Sequence, residues 1–120
     1  MHSTAPVANQ YLRFLHQMHR TTTMGRLVDL EPVCNRLLDE IAIEDHCSSP
    51  LTVTALMGLS HIASPATIHR KLDILREIGM IDTQFEGSNR RTKFLAPTPL
   101  AVQYFQTHSK VMDQAMSQTP

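Results

Sequence analysis

Ser64-Pro65-Ala66-Thr67-Ile68-His69-Arg70-Lys71-Leu72-Asp73-Ile74-Leu75-Arg76-Glu77-Ile78-Gly79 is a helix with both of its ends written into it. A Ser able to cap the first free amides precedes a Pro at the first helical position, where a missing N–H costs nothing. Ile68, Leu72, Leu75 and Ile78 recur at i, i+4, i+7 and i+10, which is one face of a 3.6-residue period. Gly79 stands where a left-handed residue ends a helix. The spacing therefore predicts a helix over 65–78 with that row turned inward. The opposite side of its first turns carries Ser64, Ala66, Thr67, Arg70 and Lys71, with His69 at the flank.

Beyond Gly79 the period changes to that of strands. Met80 to Phe85 is one, Glu86-Gly87-Ser88-Asn89 is turn chemistry, and Arg90 to Leu95 is the second, with Phe94 the expected inward residue. Pro97 ends the hairpin and Thr98-Pro99 starts a last helix, with Leu100, Tyr104 and Val111 on one face and Phe105 beside them. Working back from Ser64, Leu59 to Ala63 is a tight turn. Thr52 or Thr54 caps a short helix that runs through Met57 and is closed by Gly58, and Leu51-Thr52 has room for a single β-bridge. Pro32 opens a further helix whose inward row is Val33, Leu37, Leu38 and Ile41 and which ends at about Ile43 to Asp45. Before it, Val7, Tyr11, Leu15 and Met18, widened by Leu12, predict a first helix at about 6–19. Thr21-Thr22-Thr23-Met24-Gly25 is expected to break it, since three β-branched residues and a Gly favour a connector.

Two helices joined by a tight turn, the second well capped and followed at once by a hairpin, make a winged helix-turn-helix. The expected fold is mainly α with a small β-hairpin, about five helices and a wing sheet of two to three strands. The expected organisation is 1–30 as tail, helix and connector, 31–97 as the winged domain and 98–120 as a C-terminal helix.

Composition narrows the chemistry. The formal net charge is zero, but it is unevenly spread. Residues 1–50 hold four Arg against six Asp and Glu, while residues 61–95 hold six Lys and Arg against four acids, with His61 and His69 in addition. Positive charge is thus concentrated around the capped helix and the hairpin. Seven His form no recognised ligand set, and Cys34 and Cys47 form no Cys-x-x-Cys pair, so neither a metal nor a cofactor is expected. With four Gly there is no phosphate loop and no nucleophile-elbow motif, which argues against an enzyme. No basic-then-apolar leader and no long apolar run is present, so a cytoplasmic location is expected.

A recognition helix offers the polar side of its first turns to base edges in the major groove. Ser64, Ala66, Thr67, His69, Arg70 and Lys71 are the candidates here. The hairpin tip at 86–92, with Asn89, Arg90 and Arg91, can reach a narrow minor groove, where negative potential is high. These features resemble the MarR-type winged-helix transcriptional regulators. The resemblance is carried by Leu51-Thr52-Val53-Thr54-Ala55-Leu56, Ser64 to Arg70, Leu75 to Ile81 and the wing Asn89-Arg90-Arg91, over about residues 33–105. It implies a bacterial homodimer on double-stranded DNA, paired through its terminal helices, with Arg91 holding the wing and Arg90 or Arg91 entering the minor groove. Asn89 replaces the family's Asp, so the brace on the wing Arg is at best a neutral hydrogen bond. Val7, Tyr11, Leu15, Met18, Leu100, Tyr104 and Phe105 are the expected dimer surface. No residue pattern names a small-molecule effector. Two alternatives stay open: a winged helix that binds protein, which zero net charge favours, and one that binds RNA or acts in replication initiation.

Overall fold

The helices begin where a side chain or a proline settles the account of their first amides. The computed structural model describes residues 9–86 and 88–117, without the side chains of Glu86, Asn89, Arg90 and Arg91. α1 (Gln10–Thr23) starts at Asn9, whose Oδ1 accepts from the N–H groups of Tyr11 and Leu12. α2 (Pro32–His46) has Pro at its first position. α3 (Val53–Met57) is capped by Thr52, whose hydroxyl accepts from Ala55 N–H at 3.0 Å, so Thr52 and not Thr54 is the cap. α4 (Pro65–Glu77) is capped by Ser64 through Thr67 N–H at 3.3 Å. β1 (Ile81–Glu86) and β2 (Asn89–Pro97) form a two-stranded antiparallel sheet. α5 (Pro99–Ser117) begins at Thr98, whose hydroxyl accepts from Ala101 N–H and donates to the Gly79 carbonyl. Among the described residues five helices and a hairpin make this a mainly helical winged helix-turn-helix.

The chain divides into two compact units, one of residues 30–102 and one built from the described residues up to 29 and from 103 onward. In the 30–102 unit, α2 packs on α4 and β2, and α3 packs on both of these. Its core is Cys34, Leu37, Leu38 and Ile41 of α2, Leu56 of α3, and Ile68, Leu72 and Leu75 of α4. Met80, Ile81, Leu95, Ala96 and Ala101 complete it. Thr52 bridges Phe94, the single bridge for which Leu51-Thr52 had room. In the other unit Leu27, Tyr104, Val111 and Ala115 are buried. No helix among the described residues is long and apolar enough to cross a membrane.

Three sequence expectations are corrected. The first helix runs Gln10–Thr23, through the threonines expected to break it. Thr21 donates its hydroxyl to the Gln17 carbonyl and Thr23 to that of His19, so their polar groups are satisfied within the helix. The stop is Gly25, at φ +74°. Ile78 is 40% exposed, not inward, because α4 ends one residue earlier. There the N–H of Met80 bonds the Leu75 carbonyl and that of Gly79 bonds the Arg76 carbonyl, a Schellman motif that turns Met80 into the core in place of Ile78. In the hairpin Leu95 is buried and Phe94 only half-buried. Opposed residues of an antiparallel pair share a face. The register sets Phe94 against exposed Gln84, and Leu95 against Thr83, on the face of buried Ile81.

The same exit motif closes α2, with Ser49 N–H on the Glu44 carbonyl and Ser48 N–H on that of Asp45. There the left-handed residue is Ser48, at φ 59°, where α4 uses Gly79 at φ 82°. A Cβ is strained in that region by about 1–2 kcal/mol, partly offset by the entropy a glycine loses on folding. Gly79→Ala should therefore destabilise the protein by about 1 kcal/mol and Ser48→Gly should stabilise it by a smaller amount. Urea unfolding of both variants checks the pair of signs, and Ser48→Gly falling below wild type would contradict this origin of the exits.

Candidate nucleic-acid interface

Burying Ile68, Leu72 and Leu75 leaves the residues a half-turn away no choice but to face out. Ser64, Ala66, His69 and Arg70 are exposed and Thr67 is half-buried. The hydroxyls are not all free for a ligand. Ser64 Oγ caps Thr67 N–H and also donates to Thr67 Oγ1 at 3.0 Å, so its main work is to start the helix. Charges on this helix are sorted by spacing. Asp73 accepts from Arg76 Nη1 at 3.0 Å and faces His69 Nδ1 at 3.5 Å, one turn to either side. Arg70 has no ion-pair partner among the described residues. A guanidinium that is solvated, unpaired and near a helix N-terminus is suited to a phosphate oxygen or a guanine edge.

Lys71 is placed differently from the expectation. Its ammonium lies 2.7 Å from the carboxylate of Glu31, just before α2, and its side chain is 14% exposed. It is tied to the domain instead of being offered outward. Cys34, one turn further along α2, lies with Sγ 4.0 Å from the Lys71 carbonyl. Glu31 is a residue that sequence reasoning missed. Its partner is forty positions away, and no local pattern joins the two.

The wing strands are separated by residues 87–88 alone. Pairing runs regularly to Phe85 with Lys93 and then jumps to Glu86 with Asn89, so β2 bulges across residues 90–92. The expected site residues Asn89, Arg90 and Arg91 are therefore on β2, at and just after the tip, and their side chains lie outside the described residues. Next to them Lys93 is exposed, and with Thr52, Val53, Thr54 and Thr92 it lines a polar recess of about 280 Å³. Lys93 is a second residue that sequence reasoning left out. Its place at the end of the basic run Arg90 to Lys93 was the available signal.

The expected dimer residues fall in several environments. Val7 lies outside the described residues. On α1, which buries no residue, Tyr11 is 64% exposed, Leu12 and Leu15 are exposed and Met18 is half-buried. Tyr11 borders an apolar groove with Gln10, Phe14, Met112, Ala115 and Met116. Leu100, in the 30–102 unit, is exposed. Tyr104 is buried, edge-on to Phe105 and His108, so it supports a surface without forming one. The described residues contain no cluster of His, Cys, Asp and Glu able to hold a metal.

Solved structures share this fold. The transcriptional regulator Tm0710 from Thermotoga maritima aligns with TM-score 0.63 at 13% identity, over 88% of this chain and 68% of its own. A point mutant of S. aureus MepR bound to an oligodeoxyribonucleotide aligns with TM-score 0.61 at 13% identity, over 92% of this chain and 76% of its own. A MarR crystal structure aligns with TM-score 0.56 at 23% identity, over 93% and 79% respectively. At such identities the likeness establishes the MarR-type winged-helix fold. No family profile matches the chain, and no curated protein matches it by sequence.

The thiol under α4 allows the packing of this face to be tested without any ligand. Burial pushes the Cys34 thiol above its ordinary value of 9.0, the Glu31 carboxylate adds to that, and Lys71 opposes it. The folded state therefore keeps the proton where the unfolded chain has lost it, and stability falls as pH rises through 9.0 and above. Unfolding followed from pH 8 to pH 10 should show a smaller alkaline loss for Cys34→Val than for wild type. Equal losses would mean the thiol is not buried against α4.

Proposed function

We propose that this chain is a transcriptional regulator, not an enzyme, that binds double-stranded DNA sequence-specifically as a homodimer. The single observation that carries the reading is the face of α4. A well-capped helix packed through one apolar row presents Ala66, Thr67, His69 and unpaired Arg70, and a bulged hairpin with two arginines follows it directly. On this reading the first turns of α4 enter the major groove, with Ser64, Ala66, Thr67, His69 and Arg70 nearest the bases. Asn89, Arg90 and Arg91 of the wing, joined by Lys93, meet the backbone or the minor groove. The DNA-bound MepR structure supports DNA as the partner of this fold. On this reading residues 31–97 read DNA and the terminal helices pair, a division close to that between the 30–102 unit and the other, though the first turn of α5 belongs to the former. Tyr11, Leu12 and Leu15 on a helix that buries nothing, beside Met112 and Met116, leave apolar surface that a second copy can cover. Two copies would set their recognition helices about one duplex turn, roughly 34 Å, apart. The zero net charge favours the alternative of a protein-binding winged helix, which predicts no salt-dependent affinity for duplex DNA.

Arg70→Ala should weaken specific binding by about 1–3 kcal/mol in fluorescence anisotropy on a duplex that wild type selects. The double change Arg90→Ala/Arg91→Ala should lower affinity for most sequences alike. It should also reduce the slope of log K against log salt by about one to two charges per subunit. Superimposable salt plots for wild type and the double variant would make the hairpin a structural turn. Light scattering at micromolar concentration should give twice the chain mass, and Leu15→Glu should shift the equilibrium to monomer. A wild-type monomer would remove the dimer.

A further inference from the structure

We propose that Glu31 is a positioning residue for the recognition helix, holding Lys71 so that α4 presents Arg70 at a fixed angle, without itself touching DNA. The inference rests on the reading of α4 as the helix that enters the groove. Glu31 occupies the cap position of α2, yet its carboxylate makes no capping hydrogen bond. It turns instead to Lys71 Nζ, 2.7 Å away, in the neighbouring helix. The residues on either side of Lys71 show what this fixes. Leu72 is fully buried and Arg70 is exposed, so Lys71 sits at the border between the core and the presented face. The grip has two points. Cys34 lies three residues after Glu31, on the same side of the first turn of α2, and its thiol reaches the Lys71 carbonyl. α2 thus holds residue 71 by its side chain and by its main chain. The row Ile68, Leu72 and Leu75 fixes that α4 is buried, but an apolar row by itself tolerates small rolls and slides. A charged pair with a main-chain contact beside it opposes such rolls and slides, and support of this kind helps hold a reading side chain to its geometry. Elsewhere on the helix the acid Asp73 is engaged by His69 and Arg76.

A charge swap separates positioning from DNA contact. Glu31→Lys and Lys71→Glu should each lower specific duplex affinity about tenfold, a normal coupling for two groups in contact. The double variant Glu31→Lys/Lys71→Glu should return to within about threefold of wild type. Urea unfolding first confirms that each variant is folded. In neutral variants, Lys71→Met should lower affinity with the salt slope of wild type, whereas Arg70→Ala should lower the slope. A swap that stays as weak as Lys71→Glu, or a shallower slope for Lys71→Met, would make Lys71 a DNA contact and overturn the proposal. Single variants that bind as wild type would overturn it as well. Amide exchange of residues 68–72 in the free protein reads the same clamp with no DNA present. Exchange should be faster in both single variants and recover in the swap, and unchanged rates would overturn it. If wild type selects no duplex sequence, the reading of α4 fails, and the exchange result alone decides whether Glu31 positions the helix.

Discussion

Everything this chain presents to its surroundings depends on one constraint, the burial of Ile68, Leu72 and Leu75 along a single face of α4. Each fully buried aliphatic side chain contributes about 1.5–3 kcal/mol relative to an exposed one. No solvated contact on the other face rivals that. The roll of α4 is therefore set from inside, and the exposure of Ala66, His69 and Arg70 is its consequence. The core row also governs what comes next. Leu75 is the residue whose carbonyl receives Met80 N–H at the exit, so the turn into the hairpin is built on the last member of the same row. Thr98 then ties the start of α5 back to that exit through the Gly79 carbonyl.

Polar groups refine what the core fixes coarsely. Ser64 starts the helix, Asp73 occupies His69 and Arg76, and Glu31 occupies Lys71. Of the cations on α4, Arg70 is the one these pairings leave over. That economy explains how a chain of zero net charge can carry a candidate DNA surface. The relevant quantity is not the sum of charges but which of them are already engaged.

The parts legible in the sequence were those specified within a few residues. Ser64-Pro65 and Gly79 announce the two ends of α4, and Thr52 announces α3, because caps and left-handed exits are local chemistry. The long-range parts were not legible. Lys71 looks like any solvated cation until Glu31 is brought to it from forty positions away. Phe94 looks like the inward residue of its strand until the register with β1 gives that place to Leu95. The run Thr21-Thr22-Thr23 reads as a break by propensity. It is helical nonetheless, and within the helix Thr21 and Thr23 donate their hydroxyls to carbonyls of the preceding turn. Ile78 continues the apolar period in sequence, but the helix has already ended.

The most direct test of the proposed reading is selection of bound sequences from a pool of random duplexes. The account predicts enrichment of one half-site repeated in opposite orientation, with centres about 10 base pairs apart, as two recognition helices one turn apart require. Recovery of no preferred duplex sequence would contradict it and leave α4 as an ordinary solvated helix.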